Sequence, residues 1–405
     1  MADENKMRAG DARREAIFVL ACWLETGDFP DRMIADGPAR AFISDLVFTT
    51  IRRLRSLDFA LDRFVARRPT GETRAALLIG AAQLLFMPTV KEHAALYETV
   101  EAAKRASRAS APFVNGVLRN ILRNRASLLK AIAESPFDIR YSHPRPLVRR
   151  WIARYGAERA ERLLARDNEV PQIWLAYPPA AHARFVALPR GAHVEEQPGF
   201  AEGGFIVQDP ATAGAIELLD VRPGQKVLDA CAAPGGKSIQ IGWRLAGEGR
   251  LVAADLHEDR LVRVRANFAR VRLGNVEVIR ADAADLADPA WAGREGSFDR
   301  VLADVPCSNT GVLRRRVDAR WRWSAARMEK LAATQARILE NMARLLAPGG
   351  TLVYSTCSLE PEENERIVEK FLAAHADTFV AGEVRAVTPL ETGSDGAFAA
   401  AIRRR

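Results

Sequence analysis

Two kinds of residue in this chain could do chemistry at a shared site: cysteines, and aspartates that close short apolar runs. The cysteines are Cys22, Cys231, Cys307 and Cys357. No two form a C-x-x-C pair and the six histidines make no ligand cluster with them, so neither a zinc site nor a disulfide framework is expected. An isolated cysteine ordinarily packs as a small hydrophobe. As a thiolate it becomes a nucleophile, and its neighbours decide which of the two it is. The aspartates are Asp229, Asp255, Asp282 and Asp304, each at the end of a run of β-forming residues. Four carboxylates delivered to one edge of a sheet are hard to read as four separate loop caps.

Between Asp229 and Ser238 runs Asp-Ala-Cys-Ala-Ala-Pro-Gly-Gly-Lys-Ser. Its glycines permit tight turning, and the helix start that follows favours a negative group. The loop matches neither G-x-G-x-x-G nor G-x-x-x-x-G-K-[ST], which weakens the case for a nicotinamide dinucleotide or a P-loop nucleotide. Asp255 follows about 20 residues later, where an acid can accept hydrogen bonds from a ribose diol. The expected ligand is therefore a nucleoside.

The elements that must hold these residues can be read from periodicity. Lys226–Asp229, Arg250–Asp255, Val276–Asp282, Phe298–Asp304 and Thr351–Ser355 read as strands. They alternate with helices over Asp259 to about Leu273 and over Ala325–Leu346, the latter turning at Pro348-Gly349-Gly350. Such alternation predicts a doubly wound, mostly parallel sheet of Rossmann-like kind, with ligands at its carboxyl edge. Residues 11–132 instead carry helical stripes, for example Val114, Val117, Leu118, Ile121 and Leu122. Ser110 can cap that helix, with Pro112 in its first turn. No strand alternation interrupts them, so an all-α N-terminal bundle is expected. Between the two lies a turn-rich stretch with Pro136, His143-Pro144-Arg145-Pro146, Pro178-Pro179 and Pro198-Gly199 and candidate strands at Gln172–Tyr177 and Phe205–Val207. The expected organisation is 1–134 helical domain, 135–210 linker and small α+β bridge, and 211–405 catalytic α/β domain.

Composition agrees with this division. The 405 residues are 48% hydrophobic and 27% charged, which excludes a disordered chain and a membrane protein. No run approaches the ~20 apolar residues of a membrane span, and the polar opening Met1–Lys6 lacks a signal-peptide core, so a cytoplasmic location is the expectation. The formal net charge is +8, and residues 1–170 carry all of it, with 29 Lys+Arg against 21 Asp+Glu, while residues 171–405 hold 30 of each. A basic module beside a neutral one suggests a polyanion partner, nucleic acid being the commonest. Any single cluster, such as Arg52-Arg53-Leu54-Arg55, could equally be a solvated helix face.

These residues carry a family resemblance. Asp229–Ser238 resembles motif I of the S-adenosylmethionine-dependent RNA cytosine-C5 methyltransferases, the NOL1/NOP2/Sun family. Asp304-Val305-Pro306-Cys307-Ser308-Asn309-Thr310-Gly311 resembles their motif IV. Tyr354-Ser355-Thr356-Cys357-Ser358, with Glu360-Pro361-Glu362-Glu363-Asn364-Glu365 behind it, resembles motif VI and its extension. Order and spacing agree, and the helical N-terminus is similar to the NusB-like RNA-binding domain of the bacterial Sun/RsmB type.

The resemblance implies a chemistry. Carbon 5 of cytosine is a poor nucleophile until a thiolate adds to carbon 6 and turns the ring into an enamine. The resemblance implies Cys357 as that thiolate and Cys307 as the residue that helps remove the carbon-5 proton and release the enzyme. Asp304 would bond the N3/N4 edge of the base, with Lys237 beside it. S-adenosyl-L-methionine is the implied cofactor. By the same resemblance it would lie against Cys231, Ala232, Ala233, Pro234, Gly235, Gly236 and Lys237, with Asp255 on the ribose, Asp282 near the adenine, and Arg260 and Asp304 completing the site. The target base must leave its stack to reach such a pocket. Small-subunit (16S) ribosomal RNA is the implied substrate and partner. No metal and no membrane are expected, and a monomer is.

Some residues leave alternatives open. Trp321 and Trp323, near Arg314-Arg315-Arg316 and Arg320, could stack on RNA or pack against the sheet. Asp395-Gly396-Ala397-Phe398 resembles the family's D-G-F-F strand with one aromatic replaced, and reads as core. Val170–Tyr177 lacks the Arg-x-Asn ending usual in the family, and the bridge is short, which bears on substrate choice. A transfer RNA substrate, a non-catalytic NusB-like assembly factor and a nucleotide-dependent oxidoreductase are the competing readings. The paired thiols Cys357 and Cys307 with Asp304 speak against the assembly factor, and the missing G-x-G-x-x-G against the oxidoreductase.

Overall fold

The computed structural model describes residues 2–179 and 184–405, with the side chains of these apart from residues 2–10 and Thr392. The side chains of the polar opening Met1–Lys6 therefore lie outside the described residues. The chain divides into two compact units: residues 1–169 with 316–323, and residues 170–315 with 324–405. The stretch 135–210 is shared between them, its helices in the first and its strands in the second.

The first unit is helical. Its centre is the helix Gly71–Phe86, in which every residue from Ala75 to Leu85 is buried. A helix apolar on all sides needs neighbours all round it, and Ala2–Thr26, Arg40–Leu61, Glu92–Ala106 and Ala111–Arg123 supply them. Val114, Val117, Leu118 and Ile121 form the buried stripe of the last of these. Leu118 seats directly on Gly80, where an added Cβ would lie 2.5 Å from its Cδ1. Ser110 stands at the N-cap, but its hydroxyl donates to Ser107 O at 3.0 Å instead of capping the helix.

Residues 316–323 belong to this unit although they sit late in the chain. Val317 joins the helical core, and the Trp321 indole N–H donates to Ile51 O at 2.9 Å. Of the two readings offered for Trp321, packing is observed, though on helices and not on the sheet. Arg320 is fully buried and donates to Ser142 O at 3.2 Å, Asn168 Oδ1 at 3.0 Å and Asp167 O at 3.0 Å. Basic residues of the N-terminal part are likewise engaged internally. Arg55 pairs with buried Asp138 at 2.7 Å, and Arg68 bonds Asp62 and Asp58.

The second unit holds two sheets. Three short antiparallel strands, β1 (Trp174–Ala176), β2 (Phe185–Ala187) and β3 (Ile206–Val207), run in the order β2-β1-β3. Seven strands form the main sheet: β4 (Lys226–Asp229), β5 (Arg250–Asp255), β6 (Val276–Arg280), β7 (Phe298–Asp304), β8 (Leu346–Thr356), β9 (Phe379–Val387) and β10 (Ala397–Arg404). Their order is β6-β5-β4-β7-β8-β10-β9, with β10 antiparallel to both β8 and β9. The first five are parallel. Central parallel strands are covered on both faces and read as continuous apolar runs. Val227, Leu228, Leu251, Val252, Val301, Leu302, Leu352 and Val353 accordingly show no exposure. The helices Ala325–Leu345 and Glu365–Ala374 cover one face, and Ala213–Leu219 the other. Chain order reverses direction between β4 and β7, the switch point where doubly wound sheets bind ligands.

Candidate active site

The switch point brings the motif residues together. β4 ends in Asp229, fully buried, whose Oδ2 accepts from Ser238 Oγ at 2.6 Å. Burial pushes this carboxyl up to about 7. The loop after it is anchored by its backbone: Ala230 N donates to Leu302 O and Ala232 N to Ala254 O, so it is tied to β7 and β5. It then turns at Gly235, with φ of +104°, into the helix Gly236–Leu245. A Cβ on Gly235 would lie 3.2 Å from Phe268 Cε1, and one on Gly236 3.3 Å from Gln208. Positive φ and tight packing together require glycine at 235.

Strand ends supply the acids. Asp255, 5% exposed, accepts from Ala233 N at 3.3 Å and from His257 N at 3.0 Å. Asp282 follows β6 and accepts from Ala284 N at 2.8 Å. Arg260 lies half-buried in the first turn of the helix Glu258–Arg270. Cys231 is half-buried among these groups. Burial, then the charges of Asp229, Asp304, Asp255 and Asp282, hold its thiol well above the ordinary range, so it is a poor nucleophile.

On the other side of the switch point, Asp304 ends β7. Its Oδ2 accepts from Lys237 Nζ at 2.7 Å and its Oδ1 from Ser355 Oγ at 3.0 Å. Burial alone would lower the pKa of Lys237, but Asp304, as charge and as hydrogen-bond partner, outweighs it and keeps the ammonium. The two motif cysteines then meet. Cys307 Sγ lies 3.3 Å from Cys357 Sγ, and both thiols are free and half-buried. Cys357 Sγ also donates to Asn309 Oδ1 at 3.3 Å. The hydrogen bond with Cys357, then burial, push the Cys307 thiol well above its usual value.

Several residues that complete this arrangement carried no role in the sequence reading. A cavity of about 440 Å³ is lined by Lys237, Asp304, Ser355 and Cys357 on one side and by Asp209, Asp395 and Phe398 on another. Its wall is braced by Arg315, which donates to Asp209 Oδ2 at 2.7 Å, Asp395 Oδ2 at 2.5 Å and Gln172 O at 2.7 Å. Asp395 N in turn donates to Asp209 Oδ1 at 3.0 Å. The signal for this brace is weak: two acids 186 positions apart and an arginine in a basic run for which RNA contact and packing are both open in sequence. Phe398 is buried in β10, as core, and still borders the cavity. Asn309 takes φ of +62°, a conformation asparagine tolerates better than most residues. Among the described residues no group of three or more His, Cys, Asp or Glu is arranged to hold a metal ion, and no helix is long and apolar enough to cross a membrane.

The family model for 16S rRNA methyltransferase RsmB/F matches residues 216–402, and that for the NusB family matches residues 11–123. The chain is similar to the ribosomal RNA small subunit methyltransferase B of Serratia proteamaculans, 37% identical over 84% of this chain and 83% of the relative. It is also similar to the same-named protein of Klebsiella pneumoniae, 34% identical over 90% of each. In fold it resembles the crystal structure of PH0851, with a TM-score of 0.79 at 20% identity over 97% of this chain and 98% of that one. A methyltransferase homologue from Pyrococcus horikoshii covers 66% of this chain and 98% of its own, with a TM-score of 0.57 at 24% identity.

Proposed function

Because the chain belongs to the 16S rRNA methyltransferase RsmB/F family, we propose that it is an S-adenosylmethionine-dependent methyltransferase forming 5-methylcytosine in small-subunit ribosomal RNA through a covalent cysteine adduct. The observation that carries the adduct is the 3.3 Å separation of Cys307 and Cys357, with Cys357, Asp304 and Lys237 lining one cavity. One buried thiol is ordinary packing, whereas two in contact, one of them on the wall of a cavity that also presents Asp304 and Lys237, have a use in covalent catalysis.

The residues after β4 and β5 fit the methyl donor. The loop 231–237 turns at Gly235, packed against Phe268 and Val264, and runs into the N-terminus of the helix Gly236–Leu245, which favours a ligand's negative group. The Asp255 carboxylate takes two backbone N–H groups and still has lone pairs for a ribose diol. Cys231 to Lys237, Asp255, Arg260, Asp282 and Asp304 are the residues assigned to hold it. When bound, S-adenosylmethionine supplies an electrophilic methyl group.

The remaining steps belong to side chains of this chain. Cys357, as thiolate, adds to carbon 6, and the C5–C6 electron pair moves to carbon 5, which takes the methyl. Asp304, fixed by Lys237 and Ser355, holds the N3/N4 edge of the base. Cys307 helps remove the carbon-5 proton. The electrons of the broken C5–H bond restore the double bond as the C6–S bond breaks, and Cys357 leaves as thiolate. The helical unit, which carries the positive excess, contacts the RNA backbone with salt-sensitive affinity. The enzyme works in the cytoplasm as a monomer.

The test is to incubate the purified chain with labelled S-adenosylmethionine and total RNA from a strain lacking the gene, then map 5-methylcytosine. Label at a cytidine of 16S rRNA is the expected result. Label in transfer RNA alone would move the substrate, and no label in any RNA would overturn the reading.

A further inference from the structure

Glu363 is a carboxylate with no exposure, in the turn before the helix Glu365–Ala374, and the chemistry above leaves it without a role. Its contacts are to the two loops that carry the thiols. Oε1 accepts from Ser308 N at 2.8 Å and from Gln335 Nε2 at 3.1 Å. Oε2 accepts from Ser358 Oγ at 2.5 Å and from Ser308 Oγ. Ser308 directly follows Cys307, and Ser358 directly follows Cys357. Gln335 extends the grip by donating to Pro306 O at 2.9 Å, on the other side of Cys307. Asn364 does the same for the second loop, accepting from Thr356 Oγ1 at 2.5 Å and donating to Ser358 O at 2.9 Å. The main chain of Glu363 is itself pinned by Tyr354 OH, which donates to its carbonyl at 2.6 Å.

A buried carboxylate is costly unless several donors meet it. Here the donors come from both thiol loops, so neither loop can shift without leaving the carboxylate under-bonded. Resting on the two-cysteine reading above, we propose that Glu363 is the positioning residue of this site: it fixes the spacing of Cys307 and Cys357 and sets its charge beside Cys307, leaving Cys357 as the nucleophile. The titratable groups facing Cys307 are Cys357, Glu363 and Tyr354, with the Asp304–Lys237 pair beyond them. Cys357 and burial raise the Cys307 thiol, and the Glu363 charge adds to both. Burial raises Glu363 itself, against the pull of its hydrogen bonds from Ser308 and Ser358.

The experiment is peptide-resolved iodoacetamide labelling of the full chain across pH in a Cys357→Ser background, comparing Glu363→Gln, Glu363→Asp and Ser358→Ala. With Glu363→Gln the labelling midpoint of Cys307 falls by about one pH unit. Glu363→Asp keeps the charge and restores the midpoint, so it decides the matter even if the glutamine variant folds poorly. Ser358→Ala removes a tether and not the charge, and leaves the midpoint in place. With Cys357 intact, kcat on 16S rRNA falls about tenfold in Glu363→Gln with little change in KM. An unmoved Cys307 midpoint in Glu363→Gln, or an equal movement in Ser358→Ala, overturns the proposal. Labelling needs neither RNA nor methyl donor. Methyl transfer by a Cys357→Ala enzyme would therefore sink the two-cysteine reading without touching this result.

Discussion

Lys237 Nζ lies 2.7 Å from Asp304 Oδ2, joining the helix after the Gly-rich loop to the end of β7. This pair ties the half of the site assigned to the methyl donor to the half assigned to the base. Its members are 18% and 28% exposed, so the attraction is stronger than between surface ions. Replacing Lys237 by Met removes the ammonium from Asp304 Oδ2 and leaves the carboxylate held by Ser355 Oγ. Methyl transfer is expected to fall about a hundredfold, with Lys237→Arg recovering part of it. Steady-state rates on 16S rRNA check this, and an unchanged kcat would show that the pair is merely structural.

Gly311 gives a sharper test of loop placement. Its N–H donates to Cys357 O at 2.9 Å, and an added Cβ would fall 2.7 Å from that oxygen and 2.8 Å from Gly396 O. Backbone cannot yield as a flexible side chain does, so Gly311→Ala must displace the Cys357 loop. A displacement near 1 Å at a reacting group costs about a hundredfold in rate. The expected result is a large loss of kcat with unchanged affinity for S-adenosylmethionine, measured by calorimetry.

Arg320 tests the membership of residues 316–323 in the helical unit. Its guanidinium is buried, its pKa lowered by that burial to about 9, and it donates to the carbonyls of Ser142 and Asp167 and to Asn168. Arg320→Met strands those acceptors and is expected to destabilise this unit by about 3 kcal/mol. Hydrogen exchange should rise in the helices Arg145–Tyr155 and Ala157–Arg166. If exchange rises only in the sheet, the segment does not support the helices.

Much of the catalytic half was legible because motif chemistry and strand periodicity coincide there. Lys226–Asp229, Arg250–Asp255 and Phe298–Asp304 are strands with the bounds their apolar runs suggested. The Pro348-Gly349-Gly350 turn is not a boundary but a bulge inside β8, between the pairs at Leu346 and Thr351. Glycine and proline punctuate an isolated sequence, and the neighbouring strand β7 carried the ladder across. β9 was illegible: it is an edge strand, half exposed, with Gly382 packed on Ala401 and two charges breaking its alternation. For Arg314, Arg315 and Arg320 the sequence leaves RNA contact and packing open, and the structure has them bonding Asp395, Asp209 and buried carbonyls. A one-dimensional reading sees the charge and not the distant acid that neutralises it.

Asp229 predicts a pH dependence. Its carboxyl titrates near pH 7 in the fold because of burial, against an ordinary value of 3.8. The folded state therefore holds a proton that the unfolded chain has lost between these values, and stability declines as pH rises through that window. At about 1.4 kcal/mol per unit the full effect is about 4 kcal/mol, an upper bound for this group. Denaturant melts at pH 5, 6, 7 and 8 should show the decline in wild type and a flatter profile in Asp229→Asn. A profile equally steep in both would assign the dependence elsewhere.

The two-cysteine assignment is tested most directly by trapping. Wild type, Cys357→Ala and Cys307→Ala are each incubated with S-adenosylmethionine and 16S rRNA from a strain lacking the gene, then run on denaturing gels. If Cys357 attacks carbon 6 and Cys307 serves release, Cys357→Ala gives neither product nor adduct. Cys307→Ala then accumulates a protein–RNA band that vanishes when Cys357 is also replaced. Methylation by Cys357→Ala, or an adduct that survives its replacement, would contradict the assignment.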